Sequence, residues 1–309
     1  MTRALAMLFL AFGLSSAVFA QTTPSSLEVL VLGSGGPGAV GRAASSYLVF
    51  VDGTPRILVD AGPGSFVRLG EAQVSLDDVG IVLLTHLHID HAGELPGLFK
   101  ARAVSSAGRP IEFNVWGPAG SAGGGQNAYF PSTRDLMQLL FGPKGAYAYL
   151  RNFAAPITIH AHDFQTPAGD AESRQILKQG EVSIIAIAGH HGDAPAVIYR
   201  IEHAGKSVTF SGDIDEAGLP ALRRIARSTD LLVFNSVVRD PPGSPAVLYS
   251  LHTPPSSIGK LAQDAGVRAL LLSHISPAVE GSRDAVLQSI RGNYPGAVTF
   301  AKDGLRMQL

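Results

Sequence analysis

Apolar residues along this chain gather into short runs bounded by glycine, proline, aspartate and serine, a spacing that predicts buried strands more often than long helices. Residues 27–32, 46–51 and 56–59 are the first three such runs, the last two joined through the turn Asp52-Gly53-Thr54-Pro55. Further strands are expected at 80–84, 111–116, 181–188, 196–202, 206–210, 230–234 and 269–272, with His203-Ala204-Gly205 as a solvated hairpin turn. Helical periodicity falls at 65–72, 95–104, 134–140, 219–227, 254–265 and 282–291. Hairpins in each half, with strands and helices alternating in the second, fit an α/β chain of two mixed sheets with helices outside. Between 119 and 180 the pattern degrades into a glycine-rich run and a loop carrying Phe141, Tyr147, Tyr149 and Phe153 around Gly142-Pro143. That insertion reads as a lid or substrate wall, or equally as a packed subdomain.

The polar residues that interrupt this pattern carry chemistry. Directly after the 80–84 run stands Thr85-His86-Leu87-His88-Ile89-Asp90-His91. His86 and His88, two apart in extended chain, project to one side and can share an ion, while Asp90 and His91 point elsewhere, toward a second. Imidazole with carboxylate and no thiolate suits zinc first, with manganese or iron as alternatives. Other strand ends repeat the placement: Gly189-His190-His191-Gly192 follows 181–188, Ser211-Gly212-Asp213 follows 206–210, and Ser273-His274 follows 269–272. Strand ends are where α/β proteins put their sites. Asp60, ending the 56–59 strand, is either an acceptor orienting a ligand histidine or a helix cap. His160 and His162 are explained as alternate strand residues. Gly33-Ser34-Gly35-Gly36-Pro37-Gly38 matches a dinucleotide fingerprint in form only, because no helix opens from it; a tight loop lining the metal cleft is expected instead.

Composition bounds the rest. At 309 residues and 46% apolar, the chain can bury a large core, and residues 27–309 read as one domain. A formal net charge of −1 gives no overall pull toward nucleic acid or anionic membrane. Residues 1–20, with Arg3, an apolar stretch and Val18-Phe19-Ala20 before Gln21, read as a secretory signal, and 21–26 as a linker. The expectation is a periplasmic or secreted protein with no stable membrane insertion after cleavage. Absence of cysteine removes disulfides and thiolate ligands.

The His-x-His-x-Asp-His stretch resembles the signature of the metallo-β-lactamase superfamily, which implies a four-layer αβ/βα sandwich holding two divalent ions. Carried over residue by residue, the resemblance gives His86, His88 and one of the paired histidines to the first metal, and Asp90, His91 and His274 to the second, with Asp213 bridging. His191 is preferred to His190 because the stretch from His191 to Ala196 looks like the family's His-Gly-x-x-Pro-Ala. Leu251-His252-Thr253, with the Gly33–Gly36 and Asp60–Gly64 segments, resembles the branch of ribonuclease Z and zinc-dependent arylsulfatases, where a histidine at the place of His252 faces the scissile group. Asp90 and His252 are thus the implied catalytic residues. Where ribonuclease Z has a glutamate partnering that histidine, this chain has Asn235, which can orient an imidazole but not stabilise its protonated form. The implied function is an exported dinuclear-metal hydrolase of phosphate or sulfate esters, aryl or otherwise activated, acting through metal-bound hydroxide on a small-molecule ester. The alternatives are a ribonuclease Z-like phosphodiesterase processing transfer-RNA 3′ ends, with nucleic acid as partner, and a non-catalytic metal-binding module.

Overall fold

The computed structural model describes residues 26–38, 40–123, 129–165 and 172–309, so the expected signal segment and most of its linker lie outside the described residues. Its strands are β1 (Leu27–Gly33), β2 (Ser46–Val51), β3 (Thr54–Ala61), β4 (Ile81–Leu83), β5 (Ile111–Pro118), β6 (Ile157–Phe164), β7 (Arg174–Gln179), β8 (Val182–Ala188), β9 (Val197–His203), β10 (Lys206–Phe210), β11 (Leu231–Asn235), β12 (Ala269–Ser273), β13 (Ala297–Phe300) and β14 (Arg306–Gln308). Its helices are α1 (Ser65–Glu71), α2 (Ile89–Ala92), α3 (Leu95–Ser105), α4 (Thr133–Phe141), α5 (Leu219–Ile225), α6 (Pro255–Asp264), α7 (Pro277–Glu280) and α8 (Arg283–Arg291). The strands form two seven-stranded sheets, in orders β14-β1-β2-β3-β4-β5-β6 and β13-β12-β11-β10-β9-β8-β7.

Period-two alternation explains the layering. In β2, Leu48 and Phe50 face a core shared with Leu95, Leu98 and Phe99 of α3, whereas Tyr47, Val49 and Val51 face the other sheet. In β12, Leu270 and Leu272 pack under α6 and α8, and Leu271 faces inward. Strands buried on both faces must be apolar at nearly every position, which is why these runs were continuous in sequence. The layers are therefore helix, sheet, sheet, helix: the αβ/βα sandwich.

Strand direction then fixes one working edge. β3, β4 and β5 run parallel, as do β10, β11 and β12, and β8 shares their direction because β9 is antiparallel to both β8 and β10. Asp60, His86, His191, Asp213, Asn235 and His274 all follow or end these strands, so they reach the same edge.

One expectation needs correction, and the open readings of the 119–180 span can be described. His203 is not solvated: it is buried, with Nε2 2.9 Å from Asp52 Oδ1, because the β2–β3 turn folds over the end of β9. Part of the 119–180 span is sheet, since β6 pairs with β5 and β7 with β8; His160 and His162 are alternate residues of β6. The aromatics chosen from this span do not gather at the working edge: Phe141 stacks on Phe99 in the outer core, and Lys100 lies over the rings of Tyr149 and Phe153. Among the described residues no helix is long and apolar enough to cross a membrane.

Candidate metal centre

The loop after β4 is held before it supplies any ligand. Asp60 Oδ1 accepts from the Thr85 backbone N–H at 2.7 Å and Oδ2 from the Thr85 hydroxyl at 2.8 Å. Asp60 Oδ2 also lies 2.8 Å from His91 Nδ1, so of the two readings of Asp60 the histidine-orienting one describes its contacts; Gly64 occupies the cap of α1. Asp60 and His274 both take left-handed backbone at φ 54°, a conformation costly for non-glycine residues and concentrated at functional sites. Close backbone approach sets two glycines: a Cβ on Gly36 would fall 2.4 Å from His274 Cε1, and one on Gly62 2.3 Å from the Asp90 carbonyl oxygen. The Gly33–Gly38 stretch is thus a loop against a candidate ligand.

The structure brings all seven candidate ligands together. His86, His88 and His191 present ligand atoms within 4.8 Å of one another, and so do Asp90, His91 and His274. Asp213 joins the two groups: its Oδ2 lies 3.7 Å from His91 Nε2, 3.8 Å from His191 Nε2 and 3.4 Å from His274 Nε2. Tautomers are set from behind. His191 Nδ1 sits 2.8 Å from the Leu251 carbonyl oxygen, so its Nε2 faces inward. His190, by contrast, turns away and pairs with Asp215 at 2.7 Å.

The donor set fits divalent ions. His91 Nε2 is buried with no hydrogen-bond partner, 3.7 Å from both Asp90 Oδ2 and Asp213 Oδ2. A buried nitrogen aimed between two carboxylates, with its ring fixed by a third, is the arrangement a metal-ligating histidine requires. These groups can therefore hold metal; nitrogen and oxygen ligands without sulfur leave zinc, manganese and iron as candidates.

Electrostatics follow from crowding. Burial alone would raise the Asp213 carboxyl, yet the imidazoles of His274, His91, His252 and His86 hold it well below the usual carboxylate range. Burial likewise opposes charge on His91, but Asp60, Asp213 and Asp90 outweigh it and push that imidazole up to about 9. His252 goes the other way, lowered to about 4 chiefly by burial. Its Nδ1 is 3.9 Å from Asp213 Oδ2, its one carboxylate neighbour within 4 Å among the described residues.

Asn235 departs from its expected part. Its Nδ2 donates to Asp213 Oδ1 at 2.5 Å, so it holds the shared carboxylate and not His252. Parallel pairing explains this: β10 and β11 are neighbours, and their ends set Asp213 beside Asn235. Sequence reading also passed over Phe130, whose ring lies 5.8 Å from that of His88; Phe130-Pro131 immediately before the Ser132 helix cap was the available signal.

A family model described as the metallo-beta-lactamase superfamily matches residues 39–274. The chain belongs to this superfamily. A ribonuclease Z of Mycobacterium sp. (strain KMS) is 28% identical over 267 residues, which cover 84% of this chain and 87% of that one. Among solved structures, human tRNase Z, short form, superposes with TM-score 0.68 at 19% identity, covering 91% of this chain and 98% of its own. A diphosphatase from the PhnP family gives TM-score 0.58 at 18% identity over 92% and 97%. The structural likenesses speak for the fold, and the superfamily is one of metal-dependent hydrolases.

Proposed function

We infer that this chain is a phosphodiesterase of the ribonuclease Z type, with two divalent ions, zinc by preference, held by His86, His88 and His191 on one side and Asp90, His91 and His274 on the other. Asp213 is shared between them. Such a pair, when bound, lowers the pKa of water to about 7 and stabilises charge on the attacking and leaving oxygens of an in-line displacement. The observation carrying the reading is His252, an imidazole that stands outside the two groups given to the ions and reaches the cluster only through His191 and the shared carboxylate of Asp213. That is the place of a group acting on the leaving oxygen, and the ribonuclease Z relatives support phosphodiesters as its target.

The side chains divide the work. Asp90 is ionised, since its bond to His274 and the neighbouring imidazoles outweigh its burial; its Oδ2 faces the nitrogens of His91 and His274, and its other oxygen would accept a hydrogen bond from the attacking water. Asn235 keeps Asp213 Oδ2 turned toward the ligand nitrogens. His252, neutral at pH 7, gives its N–H to the leaving oxygen as a hydrogen bond.

This arrangement favours a second reading of the substrate. With Asn235 committed to Asp213, the carboxylate His252 meets is Asp213 itself, 3.9 Å away and shared with the ligand histidines; burial outweighs it and disfavours the protonated imidazole, so leaving groups that depart as stable anions gain most. An aryl or otherwise activated phosphate ester, or the matching sulfate, fits that chemistry as a small-molecule substrate. The 1–20 sequence supports export, which N-terminal sequencing of protein recovered from the periplasm or medium would test.

The experiment is a panel of precursor transfer RNA, bis(p-nitrophenyl) phosphate and p-nitrophenyl sulfate, assayed with wild type, Asp213→Ala and His252→Ala. Phosphodiester cleavage that disappears with Asp213→Ala is expected. Turnover of the sulfate alone would overturn the phosphodiesterase reading, and metal binding without turnover of anything would indicate a binding module.

A further inference from the structure

The metal-centre residues are not equally covered. His86, Asp90, His91, His191, Asp213, His252 and His274 are all buried, while His88 is half-exposed. The centre therefore opens on the side of His88, and whatever carries the reacting ester must pass there.

The wall at that opening is Phe130, half-buried, with its ring 5.8 Å from the His88 ring and inclined at 52° to it. Its backbone is held from both sides. Phe130 and Ser121 exchange N–H to carbonyl hydrogen bonds of 2.9 and 3.0 Å. Two residues on, Ser132 caps α4 in a reciprocal box with Asp135, and the Thr133 hydroxyl donates to the Pro118 carbonyl oxygen at 2.9 Å. The backbone that carries the ring is thus held before any ligand arrives, as a recognition surface needs to be. The adjacent residues on the two segments, Tyr129 and Ile89, are 66% and 75% exposed. An apolar rim beside a site for an anionic ester matches a substrate that is charged at the reacting atom and flat and apolar next to it.

We propose that Phe130 is a specificity-determining residue, stacking the aromatic ring or base attached to the ester that lies at the metal centre. The inference rests on the ester-hydrolase reading of that centre. Truncating a side chain that stacks a base or aryl ring weakens binding by about tenfold.

The test is calorimetric binding of phenyl phosphate and methyl phosphate to the metal-loaded protein, with metal content determined for each variant. Wild type is expected to bind phenyl phosphate more tightly. Phe130→Ala should weaken phenyl phosphate about tenfold and methyl phosphate less than twofold, Phe130→Trp should restore the preference, and both variants should keep their metal. With bis(p-nitrophenyl) phosphate the loss in Phe130→Ala should fall more on KM than on kcat. Equal weakening of both phosphates, loss of metal from Phe130→Ala, or no phenyl preference in wild type would each overturn the proposal. If wild type cleaves no phosphodiester while the phenyl preference still depends on Phe130, the activity reading fails and the stacking role stands.

Discussion

Two buried histidines, each paired with an aspartate, sit at opposite edges of the sandwich. At one edge His91 Nδ1 meets Asp60 at 2.8 Å; at the other His203 Nε2 meets Asp52 at 2.9 Å. The likeness goes further, since both aspartates have left-handed backbone and both imidazoles keep a second, buried nitrogen without a hydrogen-bond partner. What separates them is convergence. Around His91 Nε2 stand Asp90, Asp213 and two complete three-residue groups, whereas among the described residues no metal-holding group includes His203. A buried histidine with a carboxylate behind it is therefore a structural device that either edge can use. It becomes a candidate ligand only where other strand ends aim their side chains at the same point.

That contrast can be broken most forcefully at Asp213. Asp213→Ala should release metal and cut phosphodiesterase activity by about a thousandfold or more, the several kcal/mol of charge stabilisation that bound metal supplies; metal analysis beside the kinetic assay checks it. Next come the paired substitutions. Asp60→Asn should lower metal affinity by about 10- to 100-fold, as loss of a carboxylate behind a ligand histidine does. Asp52→Asn should leave metal affinity and activity alone and cost at most about 1 kcal/mol of stability, its side chain being 48% exposed. Equal effects on metal affinity would erase the distinction between the edges. Asn235→Ala frees Asp213 Oδ1 and should weaken metal binding about tenfold, measured by competition with a chromophoric chelator.

A smaller effect, within the metal-centre edge, is read by pH. In chelator-stripped protein, His91 titrates at about 9 against 6.5 unfolded, so its contribution to stability is full below pH 6.5 and is lost as pH rises through about 9. His252, lowered to about 4, acts with opposite sign: the unfolded chain takes up its proton first, and stability falls as pH drops from 6.5 toward 4. Thermal melts of stripped protein should therefore peak near pH 6.5 and decline on both sides, the alkaline decline vanishing in His91→Gln. Stability that rises steadily from pH 7 to 9 would contradict this.

How much was legible depended on whether the information was local. Strands such as β2 and β12 announced themselves because both faces are buried and nearly every position is apolar. β7, β13 and β14 did not, because they are short edge strands with exposed or half-exposed positions. His86, His88, Asp90 and His91 could be read from one heptapeptide, and the remaining candidate ligands from their places after apolar runs. Asn235 was assigned the wrong partner because its contact with Asp213 is made across neighbouring strands, and His203 was misread because Asp52, far earlier in the chain, closes over it. Phe130 escaped notice because an aromatic pair at the end of a glycine-rich stretch has no period to mark it.

The convergence itself is tested most directly by anomalous scattering from crystals of the purified protein, collected at the absorption edge of the metal found in it. Two peaks per chain, flanking the Asp213 carboxylate, one among His86, His88 and His191 and the other among Asp90, His91 and His274, are the predicted result. A single peak, or none at Asp213 in protein that hydrolyses its ester at full rate, would contradict the account.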